Sequence, residues 1–172
     1  LELLYHARPD ARMRPYLPEA PTWDSILLGR EPMESSDAPA LTSRVFRSTG
    51  HAILRAPGEA GLAAAMTFGP YGGFHGHLDK LSFVLFGHGR ELGVDPGRAR
   101  SQAYRLPIHR DWYKATLSHN TVLVDQRSQA PAEGTLELCE TREDLSAVAA
   151  SCEEAYPGVR HARLLVLRPR YL

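Results

Sequence analysis

The densest chemistry in the sequence lies in the segment Gly69-Pro-Tyr-Gly-Gly-Phe-His75-Gly-His77-Leu-Asp79-Lys80. In an extended chain, residues i, i+2 and i+4 share a face, so His75, His77 and Asp79 would project toward one point, as metal ligands do. Two imidazoles from one short segment supply half of a zinc shell, and the flanking glycines let backbone or substrate come close. The same residues also make a glycine-rich turn with ordinary surface histidines, and other residues must decide between the two. Asp95 closes the run Glu91-Leu-Gly-Val-Asp95-Pro96-Gly97, and His119 opens His119-Asn120-Thr121-Val-Leu-Val-Asp125, so each stands where a predicted strand meets a loop. Alone, Asp95 is a turn aspartate before Pro-Gly and His119 a strand-edge histidine. Taken together, a hard carboxylate plus two imidazoles suits Zn²⁺, with a fourth position left to water or another ligand.

Two familiar metal patterns nearly fit. A metallo-β-lactamase His-x-His-x-Asp-His run requires a histidine where Lys80 stands, which removes a ligand to a second metal. A cupin would match Gly69, His75 and His77, but needs a glutamate where Leu81 and Ser82 stand. Between Asp95 and His119 runs a cationic, aromatic stretch from Arg98 through Tyr104, Arg105, Trp112 and Tyr113 to Lys114. Arginine forks grip carboxylates or sulfates and aromatic faces stack on sugar rings, so this composition suits an acidic polysaccharide, with Tyr104 and Arg105 as candidate substrate-binding residues. It equally describes a solvated loop whose aromatics plug the core.

These residues need a scaffold that brings strand ends together. Short apolar runs begin after Ser43: Ala52 to Leu54, Leu62 to Phe68, Leu81 to Phe86, Leu92 to Val94, Thr121 to Val124, Leu136 to Leu138, Ala147 to Cys152 and Arg163 to Leu167. Turn signals such as Pro57-Gly58, Gly69-Pro70, Gly87-His88-Gly89 and Pro157-Gly158 separate them, which predicts an all-β, antiparallel β-sandwich over residues 43–172. Before it, a helical turn is predicted between Leu1 and about Arg14, and the proline-punctuated remainder of residues 1–42 reads as linker.

The whole chain, 172 residues with 43% apolar and 23% charged side chains, is long enough to bury a core without a metal or disulfide. Twenty basic residues balance twenty acidic ones, which gives no broad field for nucleic acid or an anionic membrane, and no apolar run approaches the ~20 residues of a membrane span. Cys139 and Cys152 allow at most one bridge and leave the compartment undetermined. The start at Leu1 and the end inside an apolar stretch give the expectation of a piece of a longer protein.

Four blocks then carry a resemblance: Gly-Phe-His75-Gly-His77-Leu-Asp79-Lys80-Leu-Ser-Phe; Val94-Asp95-Pro96-Gly97; Trp112-Tyr113-Lys114-Ala-Thr-Leu-Ser-His119-Asn120-Thr121-Val; and Asp125-Gln126-Arg127-Ser128-Gln129. In order and spacing they resemble the β-sheet portion of the heparinase II/III-like polysaccharide lyases, over about Ser48 to Leu172. The resemblance implies a β-sandwich that follows an upstream (α/α) toroid, with residues 1–42 as the exit from it and the active cleft between the two. It implies β-elimination on a uronate-containing polysaccharide or oligosaccharide. It also implies Zn²⁺ on His77, Asp95 and His119, and His75 facing substrate as a catalytic residue. Because further catalytic groups of such lyases lie in the toroid, these 172 residues alone are expected to be inactive. The rival expectations are a non-catalytic carbohydrate-binding or structural β-module, and a metal-dependent hydrolase that activates water.

Overall fold

A computed structural model describes residues 1–31, 33, 41–56, 61–100 and 106–169. Tyr104, Arg105 and the turn signal Pro57-Gly58 lie outside the described residues. The chain divides into two compact units, Leu1–Leu41 and Thr42–Leu172.

In the first unit, helix α1 (Glu2–Ala7) ends before Pro9, a 3₁₀ turn spans Ala11–Tyr16, and helix α2 (Trp23–Leu27) follows. Thr22 and Ser25 cap α2 reciprocally, each side chain taking the other's backbone N–H, at 3.1 and 2.8 Å. Arg30 grips Glu2 through two 2.8 Å bonds with both side chains nearly buried. The stretch expected to be linker therefore carries short capped helical turns and its own ion pair.

The second unit is an antiparallel β-sandwich. Strands β1 (Arg44–Phe46), β2 (His51–Arg55), β3 (Ala63–Thr67), β4 (Phe83–Gly87) and β5 (Arg90–Gly93) form one sheet in chain order. Strands β6 (Thr135–Thr141), β7 (Ser146–Tyr156) and β8 (Val159–Leu167) form the other. Along β2 and β3 the apolar residues alternate, and Ala52, Leu54, Ala64 and Met66 turn inward. They meet Val148, Ala150, Cys152, Leu165 and Leu167 from the second sheet in one core. β7 is the central strand of its sheet, and Ser146–Cys152 is buried along both faces apart from half-buried Ala149, which is why that stretch is a run of small residues with little polar alternation. Ser146, fully buried in β7, donates to the Arg55 carbonyl at 2.9 Å and shares a 2.9 Å hydroxyl bond with Ser43, stitching the sheets together. Both cysteines are free thiols.

Three expectations change. β1 was not anticipated; Arg44–Phe46 pairs with β2 although only Val45 and Phe46 are apolar. Thr121–Val124 is not a strand but leads into a tight turn, in which Arg127 N–H reaches the Val124 carbonyl at 3.0 Å while Asp125 and Gln126 take positive φ. The His75 to Asp79 segment is not extended: a 3₁₀ turn at Gly73–His75, entered through Gly73 at φ +61°, breaks it. Among the described residues, no helix is long and apolar enough to cross a membrane.

Candidate functional site

The histidine segment leaves β3 through a contact that only glycine allows. Phe68 and Gly69 N–H both donate to the Gly50 carbonyl, at 2.7 and 3.0 Å. A Cβ on Gly50, which sits at φ +63°, would lie 1.8 Å from the Gly69 Cα. Beyond it the backbone is irregular, so its polar groups must find partners elsewhere in the chain. Leu78 N–H bonds the Lys114 carbonyl at 3.0 Å, and Leu81 N–H bonds the Thr67 carbonyl at 2.8 Å. Gln129, buried at 2% exposure, accepts Lys80 N–H at 2.6 Å and donates to the Lys80 carbonyl at 3.0 Å. Thr116, fully buried, donates to the Leu78 carbonyl at 2.5 Å and accepts Gln129 N–H at 2.8 Å.

A second set of bonds locates His119. The Asn120 amide donates to the Phe83 and Val94 carbonyls, both at 2.9 Å, and so fixes its neighbour between the start of β4 and the exit of β5. His119 therefore follows a 3₁₀ turn (Thr116–Ser118) rather than opening a strand, while Asp95 does stand just beyond β5. Arg163 of β8 reaches the Asn120 carbonyl at 2.5 Å and lies over the Phe83 ring, 5.0 Å from its centroid.

These contacts bring together residues far apart in sequence. The His119 Nδ1 lies 2.7 Å from Asp95 Oδ2, and the His77 and His119 rings stand 5.2 Å apart. His77, Asp79 and His119 each present a ligand atom within 4.8 Å of the others. His75 stands apart from this cluster but lines the same open hollow of about 620 Å³ with His77, Asp95, Gly97 and Arg98. Sequence analysis placed Asp79 on a common face with His75 and His77 in metal-ligand fashion but left it out of the zinc set His77, Asp95 and His119. It also passed over Arg98, whose signal was its place in the arginine-rich stretch, and Gln129 and Asn120, which act on backbone groups that no side-chain pattern reveals.

Electrostatics sharpen the cluster. Burial, reinforced by the nearby His119, pushes the His77 imidazole below its ordinary pKa. Burial also opposes charge on His119, but the Asp95 hydrogen bond and carboxylate charge outweigh it and raise His119 above the ordinary value. Asp95 is lowered in turn: the His119 bond and a 2.8 Å bond from Gly97 N–H overcome its desolvation. The His119 Nε2–H donates to the Tyr113 carbonyl at 3.1 Å, so in the neutral ring the Nδ1 lone pair would face the Asp95 carboxylate at 2.7 Å. At that separation the two acceptors share a proton on the ring, because two ligands of one tetrahedral zinc stand farther apart. A borderline-soft dication taken up by these nitrogen and oxygen donors would have to displace that proton and open the contact.

The profile of the family described as "Heparinase II/III-like, C-terminal" matches residues 38–172. An alginate lyase of Stenotrophomonas maltophilia is 34% identical over 133 residues, which cover 69% of this chain and 18% of that protein. An exo-oligoalginate lyase of Saccharophagus degradans is 31% identical over 108 residues, covering 54% of this chain and 15% of that protein. The chain thus spans less than a fifth of the length of either relative. Among solved structures, a heparan sulfate lyase of Pedobacter heparinus superposes with a TM-score of 0.68 at 21% identity, over 79% of this chain and 22% of that one. A heparinase III structure gives a TM-score of 0.72 at 17% identity, over 96% of this chain and 25% of that one. Both structural likenesses speak to the fold alone. With the sandwich, the clustered histidines and the family match over most of its length, the chain belongs to the heparinase II/III-like family, as its C-terminal β-sheet domain.

Proposed function

We propose that this domain forms one wall of the cleft of a polysaccharide lyase that cleaves uronate-containing, alginate-type oligosaccharides by β-elimination. The observation that carries this reading is the hollow where His75, Asp95 and Arg98 converge, in a chain whose relatives above 30% identity are both named as lyases of alginate or its oligosaccharides. In β-elimination the C5–H and C4–O bonds break, a C4=C5 double bond forms, and no water is consumed. The uronate carboxylate must be neutralised before the C5 proton leaves, because the developing carbanion lies beside it. The Arg98 guanidinium supplies a fork of matching geometry at the hollow. His75, on the exposed turn facing the same space, binds the sugar and exchanges a proton with it at its ring nitrogen. The remaining groups come from an upstream helical domain of the same protein.

His77, Asp95 and His119 would hold a zinc ion. Bound there, it ties the β5 exit to the segments before β4 and after residue 115 and keeps the rim of the hollow rigid. The intact protein, incubated with alginate oligosaccharides, is expected to generate unsaturated uronate, read as growing ultraviolet absorbance. The 172-residue chain alone is expected to give none. New reducing ends without that absorbance would mean hydrolysis and overturn the proposal.

A further inference from the structure

The turn that carries His75 also carries Phe74, an aromatic residue left 65% exposed. We propose that Phe74 is a stacking platform for a pyranose ring of the substrate, and so a specificity-determining residue beside the hollow. This rests on the reading of the hollow as the cleft wall of a uronate lyase, and extends recognition from the carboxylate to the sugar ring.

An exposed apolar side chain is ordinary by itself, and Phe74 is set apart by its mounting. The turn folds back on itself: Gly73 N–H bonds the Tyr71 carbonyl at 2.7 Å, and Gly76 N–H bonds the Gly73 carbonyl at 3.1 Å. Its far end is seated on the Tyr71 ring, so closely that a Cβ on Gly76 would lie 3.0 Å from Tyr71 Cδ2 and Cε2. The ammonium of buried Lys114 lies 5.2 Å from the centroid of that ring and holds it by cation–π attraction. Phe74 therefore projects from a braced support. Its ring meets the His75 imidazole edge to face, with centroids 6.0 Å apart and planes at 76°. His75 in turn lines the hollow with Arg98, so the platform adjoins the hollow directly. A uronate offers two different surfaces to this pair of residues. Its carboxylate stands at the edge of the pyranose, where the Arg98 fork can take it. Its ring faces carry C–H bonds, whose partial positive charge suits the negative face of a phenyl ring.

Steady-state kinetics of the intact protein on alginate oligosaccharides, read as unsaturated-uronate absorbance, test this. Phe74→Ala should raise KM at least about 5-fold and leave kcat within about 2-fold, because stacking holds ground state and transition state alike. Phe74→Trp should keep KM near wild type, whereas Phe74→Leu, apolar but without a ring face, should resemble Phe74→Ala. The Trp and Leu pair decides the question even where Phe74→Ala unsettles the turn. An unchanged KM in Phe74→Ala overturns the platform. So does a wild-type KM in Phe74→Leu, which would mean that the side chain only fills space against another part of the protein. A fall in kcat at unchanged KM would make Phe74 a positioning residue for His75 and overturn the platform as well. A wild type that releases no unsaturated uronate would bring down the lyase reading itself, and the platform with it.

Discussion

Replacing Gln129 by leucine tests how the irregular segment around Lys80 is held. The Gln129 side chain accepts Lys80 N–H at 2.6 Å and donates to the Lys80 carbonyl at 3.0 Å, and both residues are at most 4% exposed. Leucine fills a similar volume but serves neither group. The Lys80 carbonyl keeps a donor, the Thr121 hydroxyl at 2.9 Å, so its loss is partial. The Lys80 N–H loses its acceptor in a place water does not reach. An orphaned buried donor costs about 1–3 kcal/mol and a lost neutral hydrogen bond about 1 kcal/mol, against a gain below about 1 kcal/mol from the added apolar surface. The expected destabilisation is about 2–3 kcal/mol, or roughly 30- to 150-fold in the folding constant. Urea unfolding should show the midpoint falling by about 1–1.5 M at an unchanged slope. Hydrogen exchange at the Lys80 amide should accelerate more than at the β7 amides. A midpoint shift worth less than about 0.5 kcal/mol, or an unchanged Lys80 exchange rate, would refute the view that this glutamine substitutes for a strand partner.

Gly50→Ala should destabilise the domain by about 3 kcal/mol or more, from left-handed backbone strain plus a Cβ placed against Gly69, and thermal unfolding that moves by less than a 1 kcal/mol equivalent, roughly, would contradict the close approach. His161 is buried with neither ring nitrogen bonded among the described residues, and burial, then the neighbouring Arg163, lowers its pKa. The unfolded chain therefore takes up the proton more readily, so stability is full above the ordinary histidine value of about 6.5 and falls as pH drops below it; His161→Leu should flatten that part of the stability–pH curve, and an unchanged slope would count against it. In the intact protein His75→Ala should lower turnover by about 100-fold or more with zinc content unchanged, whereas loss of zinc would make His75 a ligand.

Much of the sandwich was legible in the sequence because strand alternation is local. Ala52, Leu54, Ala64 and Met66 advertise an inward face by spacing alone, and Gly-Pro signals mark the turns between runs. β1 escaped notice because a three-residue edge strand with one arginine carries too little pattern. The run Thr121–Val124 misled for the opposite reason: it has strand composition, but its Thr121 hydroxyl and Val122 carbonyl are engaged by Lys80 and Tyr156.

For the site, the sequence by itself determined which residue types were present and, through the order of the four blocks, the family to which they point. That His77, Asp95 and His119 are donors suited to one ion follows from side-chain chemistry, which folding does not change. Only the tertiary structure decided how they meet. The predicted common face of His75, His77 and Asp79 assumed an extended chain, and the 3₁₀ turn at Gly73–His75 instead turns His75 toward the hollow with Arg98 while Asp79 stays with the cluster. His119 stands beside Asp95 because the Asn120 amide bridges two carbonyls 37 and 26 residues away. Such irregular segments have no ladder of their own. Their conformation is set by where distant buried groups offer partners, and that is a property of the packed chain rather than of any window of sequence.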